Sequence, residues 1–397
     1  MIQQFINRKE ELEFLQNRYS SNGAELIIIY GRRRIGKTEL IVKFTKNKPS
    51  IYFLATEKPW GDNLKDLQNL MADYLRDELF KLAEIDSFEK LFQEFLKRKG
   101  EERLIITIDE FPILIERYKP IISIFQRLWD LSISKRNDIM LILCGSSIGM
   151  METEILDYKS PLYGRRTGQW KVEEIEFWAL NQFFPNYKLI ELIKSYGVIG
   201  GIPGYLTKFN PNKSFKENLI ENLFSKGSYL YEEAEILLKQ ELRAPANYFA
   251  ILKAISAGKR KFGEIVNETS LDKSLISKYL SILQNLKVVE RILPIQASKK
   301  QKVRIKGGLY VISDKYISFW FRFVFPYKSM LESGELTTFM KIFDKEFRNY
   351  LGLIFEDLCR KYFIKHLLKD PLRKIGTWWY KEREIAVSYT HLTLPTN

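Results

Sequence analysis

The stretch IIIYGRRRIGKTEL, Ile27–Leu40, decides how the N-terminal half of the chain is read. Three isoleucines and a tyrosine form a continuous apolar run, the pattern of a parallel strand buried on both faces. The run breaks at Gly31, and Gly31-Arg32-Arg33-Arg34-Ile35-Gly36-Lys37-Thr38 fits the spacing G-x-x-x-x-G-K-[ST] without a mismatch. Each part of that spacing has a physical task. Glycines permit tight turns and close backbone approach, so main-chain N–H groups can surround phosphate oxygens. The helix that starts at the loop, with Glu39 in its first turn, points its positive end at the same anion. Lys37 is placed to reach β- and γ-phosphates, and the Thr38 hydroxyl to bind Mg²⁺. A glycine turn that merely joins strand to helix is the alternative.

A second signal is LIITIDEFP, Leu104–Pro112, an apolar strand that ends in two carboxylates. Asp109 is suited to hold Mg²⁺ together with Thr38, and Glu110 to polarise an attacking water. A third apolar run, IMLILC, ends in Gly145-Ser146-Ser147. A serine there either senses the γ-phosphate or caps the next helix, and one serine can serve each task. In LYGRRTG, Leu162–Gly168, Arg165 or Arg166 is a candidate arginine finger, against the alternative of a solvent-facing pair.

ELIIIY, SIYFLA, RLIITI and IMLILC are separated by helical patterns. Strands alternating with helices predict an α/β fold: a parallel P-loop NTPase sheet with helices on both faces. The boundaries predicted are an ATPase core over 1–172, a helical lid over 173–243, a winged-helix domain over 244–312 and a partial α/β region over 313–385, with a tail over 386–397.

Composition narrows the class. The 397 residues include two cysteines and two histidines, which argues against disulfide scaffolds, zinc sites and histidine triads. MIQQFINRKEEL lacks the apolar core of a signal peptide, and the most apolar window, Tyr316 to Tyr327, is too short to span a bilayer. A cytoplasmic protein with no membrane partner is expected. The net charge is +14, and it is concentrated: 245–328 holds 16 Lys/Arg against 5 Asp/Glu, and the remainder 47 against 44. Such a local field attracts a polyanion or is a solvated surface.

Within that basic segment the pattern is helix, helix, helix, strand. In the third helix Ile276, Tyr279, Leu280, Leu283 and Leu286 form an apolar stripe, and Asp272 stands at its start. Lys273, Ser274, Ser277, Lys278 and Ser281 fall largely on the other face, as a major-groove recognition helix requires. In KKQKVRIKGG, Lys302, Arg304 and Lys306 alternate and so share one face of a strand, a wing able to contact phosphates. Duplex DNA held through 272–308 is one reading, and contact with a protein is the other.

Together these residues resemble the archaeal-type ATPases of the STAND branch of AAA-related P-loop ATPases. The resemblance covers nearly the whole chain: FINRKEEL, YGRRRIGKT, IDEFP, LCGSSIGMM, YGRR, GGIPGYL (Gly200–Leu206) and ELRAPANYFAILKAISAGKRKFGEI, in that order. It implies binding and hydrolysis of ATP, with ADP as product and Mg²⁺ as cofactor, and a winged-helix domain. It places Arg8 near the adenine and gives GGIPGYL the coupling of nucleotide state to the lid. The expected role is a nucleotide-driven switch, or alternatively an ATP-gated signalling protein. A finger acting in trans would make the chain a homo-oligomer, whereas one acting in cis would not.

The resemblance also implies a nuclease-like segment near the C-terminus, with Glu356 as its helix acid and a metal-binding aspartate after Glu384-Ile385. Alanine, Ala386, stands there instead. The last residues, AVSYTHLTLPTN, carry no charge. They read as a non-native junction or as a divergent tail, and in both cases the nuclease metal site is incomplete.

Overall fold

The computed structural model describes residues 5–242, 244–293, 308–367, 374–380 and 383–389. They fall into two compact units, 1–174 and 175–397.

The first unit is built on five parallel strands: β1 (Glu25–Tyr30), β2 (Ser50–Leu54), β3 (Leu104–Asp109), β4 (Ile139–Gly145) and β5 (Gly168–Lys171). Every residue of β1, β3 and β4 is buried, which is why these segments read as unbroken apolar runs. Alternate residues divide between two layers. Leu26, Ile28, Ile106, Ile108, Leu141 and Leu143 share a core with the helices Trp60–Leu75, Phe88–Arg98 and Ile121–Leu128. Ile27, Ile29 and Ile142 lie outside that core and are equally buried, so both faces are covered.

The strand order is β2-β3-β4-β1-β5. β4 therefore stands between β1, which carries the phosphate-loop motif, and β3, which carries the acid pair. The chain runs to one side of β1 for β2 to β4 and returns to its other side for β5. In open parallel sheets, ligands bind beyond the carboxyl ends of the strands at such a reversal. Register brings those ends level, with Tyr30 opposite Gly145 and Lys171, and Leu54 opposite Asp109.

The second unit opens at Ile175, whose N–H donates to the Gly201 carbonyl at 2.8 Å. A Cβ on Gly201 would lie 2.0 Å from the Ile175 carbonyl oxygen, so this position of GGIPGYL admits only glycine. Pro203 then starts the short helix Pro203–Leu206.

The helices Ala246–Ser256, Phe262–Thr269 and Lys273–Asn285 are followed by the antiparallel pair β6 (Val289–Ile292) and β7 (Leu309–Ile312). Ile276, Leu280 and Leu283 are buried, Tyr279 and Leu286 half-buried, and Lys273, Ser274, Ser277, Lys278 and Ser281 exposed. Asp272 occupies the N-cap position without a side-chain capping bond. The expected wing residues Lys302, Arg304 and Lys306 lie outside the described residues.

The aromatic segment beginning at Tyr316 is core. Phe319, Trp320 and Phe321 are fully buried, and the Trp320 indole donates to the Tyr231 carbonyl at 2.7 Å. Phe319 and Phe323 pack on Phe343, Phe347 and Tyr350 of the long helix Leu336–Tyr362. The strand pair β8 (Lys374–Tyr380) and β9 (Arg383–Tyr389) follows, with Thr377 opposite Ala386. β9 thus continues across the position read as a junction. Residues 390–397 of the expected tail lie outside the described residues.

Candidate functional site

The phosphate-loop motif turns between β1 and the helix Lys37–Thr45. Gly36 takes φ +90° as the residue before that helix, and Arg34 takes φ +65° within the loop. Ile35, the one apolar residue between the glycines, is 1 % exposed and anchors the loop. Arg33 and Arg34 are exposed and Arg32 is half-buried. The buried Lys37 ammonium donates to the carbonyls of Gly31 (2.9 Å) and Arg32 (3.0 Å), spanning the loop from inside. Glu39 is exposed in the first helical turn.

Asp109 ends β3 and is 2 % exposed. Its Oδ2 accepts from Thr38 Oγ1 at 2.8 Å and from the Tyr52 hydroxyl, and its Oδ1 accepts from the Glu110 N–H at 2.8 Å. Burial first, and then the bond to Asp109, pushes the Tyr52 phenol above its ordinary pKa. Burial beside the same carboxylate pushes the Cys144 thiol well up, leaving it an inert part of β4.

Glu110 takes φ +53°, a left-handed conformation uncommon for residues other than glycine. This conformation aims its Oε2 at Ser146, which donates through Oγ at 2.8 Å and through N–H at 3.3 Å. Ser147 stands instead at the N-cap of the helix Ile148–Met150. Ser146 thus meets the acid, while Ser147 holds the N-cap position without a side-chain capping bond.

Not every expected residue converges. The Arg165 guanidinium forks onto Asp130, with Nε and Nη2 within 2.8 to 3.0 Å of its oxygens. Arg166 lies over the Tyr163 ring at 4.5 Å and donates to the Tyr163 carbonyl. Arg8 is 6 % exposed and braces the loop: it donates to the Ile35 carbonyl at 2.9 Å and the Glu173 carbonyl at 2.8 Å, and pairs with Glu11. Arg32 pairs with Glu174 at 3.5 Å. Sequence reading passes over Tyr52, Glu173 and Glu174; Tyr52 stands in an apolar strand as one more aromatic residue.

Among the described residues no three His, Cys, Asp or Glu side chains gather as a metal cage, and no helix is long and apolar enough to cross a membrane.

Residues 5–209 match the family described as an ATPase domain predominantly from Archaea. The chain belongs to this archaeal ATPase family. A relative in Methanocaldococcus jannaschii, an uncharacterized protein, is 39% identical over 390 residues, covering 96% of this chain and 83% of its own length. An uncharacterized ATP-binding protein of the same archaeon is 64% identical over 47 residues, which is 12% of this chain and 80% of that protein. The fold of the chain is similar to that of a Walker-type ATPase of Pyrococcus abyssi, with a TM-score of 0.59 and 20% identity over 80% of this chain and 96% of that one. Residues 249–291 match the bacterial regulatory protein family of the arsR type, so the ATPase-family domain is joined to a helix-turn-helix domain. Residues 320–392 match a family of archaeal and bacterial proteins of unknown function, a match that runs past Ala386 and brings no nuclease assignment.

Proposed function

We propose that the chain hydrolyses ATP with Mg²⁺ and works as a nucleotide-driven switch whose winged helix binds duplex DNA. One observation carries the reading: the Thr38 hydroxyl and the Asp109 carboxylate, 71 positions apart, meet beside the phosphate loop. A hydroxyl and a carboxylate are hard oxygen donors, the set that suits a cation taking one or two protein oxygens and keeping several waters. Thr38 and Asp109 would hold Mg²⁺ there, and the bound ion would neutralise charge on the phosphates.

The other residues divide the remaining work. The loop N–H groups of Gly31, Arg32, Arg33, Arg34, Ile35, Gly36, Lys37, Thr38 and Glu39 bind phosphate oxygens, and Lys37 turns its ammonium from the loop carbonyls to the ligand. Glu110 orients the attacking water, and Ser146 holds Glu110 until nucleotide arrives. Arg165 or Arg166 stabilises transferring charge, Arg165 by leaving Asp130 and Arg166 by leaving the Tyr163 ring and carbonyl. Arg8 supports the loop from behind. The DNA reading rests on the exposed Lys273, Ser274, Ser277, Lys278 and Ser281 face and on the excess charge of 245–328.

The test is the ATPase rate with and without duplex DNA across a salt series, for wild type and Lys37→Ala. Turnover that is lost in Lys37→Ala and modulated by DNA at low salt is expected. Unchanged turnover in Lys37→Ala would overturn the ATPase reading. Turnover indifferent to DNA, with no salt-dependent binding, would move the winged helix to a protein partner.

A further inference from the structure

We infer that Tyr52 is a positioning residue for the Mg²⁺-binding carboxylate, an inference that rests on the ATPase reading above. Register places Tyr52 opposite Thr107 on β3, and residues two apart on a strand share a face. Tyr52 and Asp109 therefore stand on the same side of the sheet, on neighbouring strands. The phenol reaches along β3 to donate to Asp109 Oδ2, the oxygen that also accepts from Thr38. Two hydroxyls thus converge on one carboxylate oxygen.

Their fates differ when a cation arrives. Thr38 would offer a lone pair of its hydroxyl oxygen to the ion, so its orientation would answer to the ion as well as to Asp109. Tyr52 stays: its backbone is fixed in β2, which the buried Ile51 and Phe53 anchor on the opposite face, and its hydroxyl is a donor to Asp109. It holds the carboxylate in its orientation independently of the ion. Partners of this kind, which orient a metal ligand without touching the metal, typically contribute 10- to 100-fold in metal affinity.

The test needs no turnover. The affinity of wild type and Tyr52→Phe for fluorescent methylanthraniloyl-ADP is measured with saturating Mg²⁺ and with chelator. The expected result is a Mg²⁺-dependent gain in affinity that is about tenfold smaller in Tyr52→Phe, with Mg²⁺-free affinity and melting temperature near wild type. An unchanged gain, or an equal loss with and without Mg²⁺, overturns the inference, since the latter marks a merely structural role. Wild type that binds no labelled ADP, or binds it without regard to Mg²⁺, overturns the ATPase reading itself. If Tyr52→Phe does not fold, Tyr52→Gln carries the test through its amide donor. A gain within about threefold of wild type supports the inference, and a gain lower by tenfold or more overturns it.

Discussion

Thr38 donates its hydroxyl hydrogen to Asp109 Oδ2 across 2.8 Å, joining the first turn after the phosphate loop to the end of β3. Replacing Thr38 by alanine removes one oxygen from this pair and leaves the buried Asp109 with Tyr52 and its neighbouring N–H. Thr38→Ala is expected to weaken Mg²⁺-dependent ADP binding by roughly 100-fold, the upper end of what even outer groups contribute. Chelator-treated samples should bind ADP as wild type does. Calorimetric titration with and without Mg²⁺ checks both expectations.

Glu110→Gln keeps the shape of the turn and an acceptor for Ser146 but loses the charge. Binding of ATP should stay within about threefold, and single-turnover hydrolysis should fall roughly 10²- to 10⁴-fold, the range of acid–base assistance. Rapid-quench measurement with enzyme in excess separates the two, and a turnover rate near wild type counts against the role of Glu110.

Gly145 ends β4 where a Cβ would lie 2.6 Å from Pro112 Cδ and 2.7 Å from Met151 Sδ. The proline ring comes directly after the acid pair and Phe111, and has little room to yield. Gly145→Ala should cost about 1–3 kcal/mol, as overpacking does. A urea midpoint that does not move would show that Pro112 can retreat, and with it the turn carrying Glu110.

At the opposite end of the sheet, Asp138 accepts from Lys99 Nζ at 2.5 Å and from Arg136 at 2.6 and 2.7 Å. Burial alone would raise its pKa, but these donors hold it down to about 2. A carboxyl depressed by folding stabilises the chain fully above its ordinary value near pH 4 and loses that contribution as pH falls toward 2. Asp138→Asn should therefore flatten the fall in urea midpoint between pH 5 and 2.5. Asp138→Ala strands the buried Lys99 ammonium and should cost about 3 kcal/mol at neutral pH.

On the exposed face of Lys273–Asn285, the double change Lys273→Ala and Lys278→Ala should weaken duplex binding and lower the slope of log affinity against log salt by about 0.9 for each phosphate contact removed. Fluorescence anisotropy between 50 and 200 mM salt, roughly the range over which such contacts dominate, checks this. An unchanged slope removes the helix from the DNA interface.

Strands buried on both faces announce themselves as apolar runs, so β1, β3 and β4 are legible in the sequence almost to the residue. Thr38, Asp109, Glu110 and Ser146, which the fold joins by hydrogen bonds, stand out in the sequence because each comes at or soon after the end of such a run. Strand order is not, since periodicity says nothing about neighbours; that β4 divides β1 from β3 emerges only from pairing. Tyr52 escapes for the same reason: its partner is fixed by register, while locally it is one aromatic among Ile51, Phe53 and Leu54. The partner of Arg165 escapes in a different way, because Asp130, which binds it, lies 35 positions away. Arg8, near the adenine by resemblance, is spent on backbone carbonyls that no motif announces.

Arg8 ties the Ile35 carbonyl to the Glu173 carbonyl, and Arg32 pairs with Glu174, the last residue before the second unit begins. The peptide that leaves the first unit is therefore moored to the phosphate loop at two consecutive residues. Under the proposed switch, a displacement of the loop would pull on that covalent tether with no chain in between. Arg8 and Arg32 would be its rigging, and cutting one rope would leave the loop able to grip its ligand with a single mooring to the peptide at Glu174.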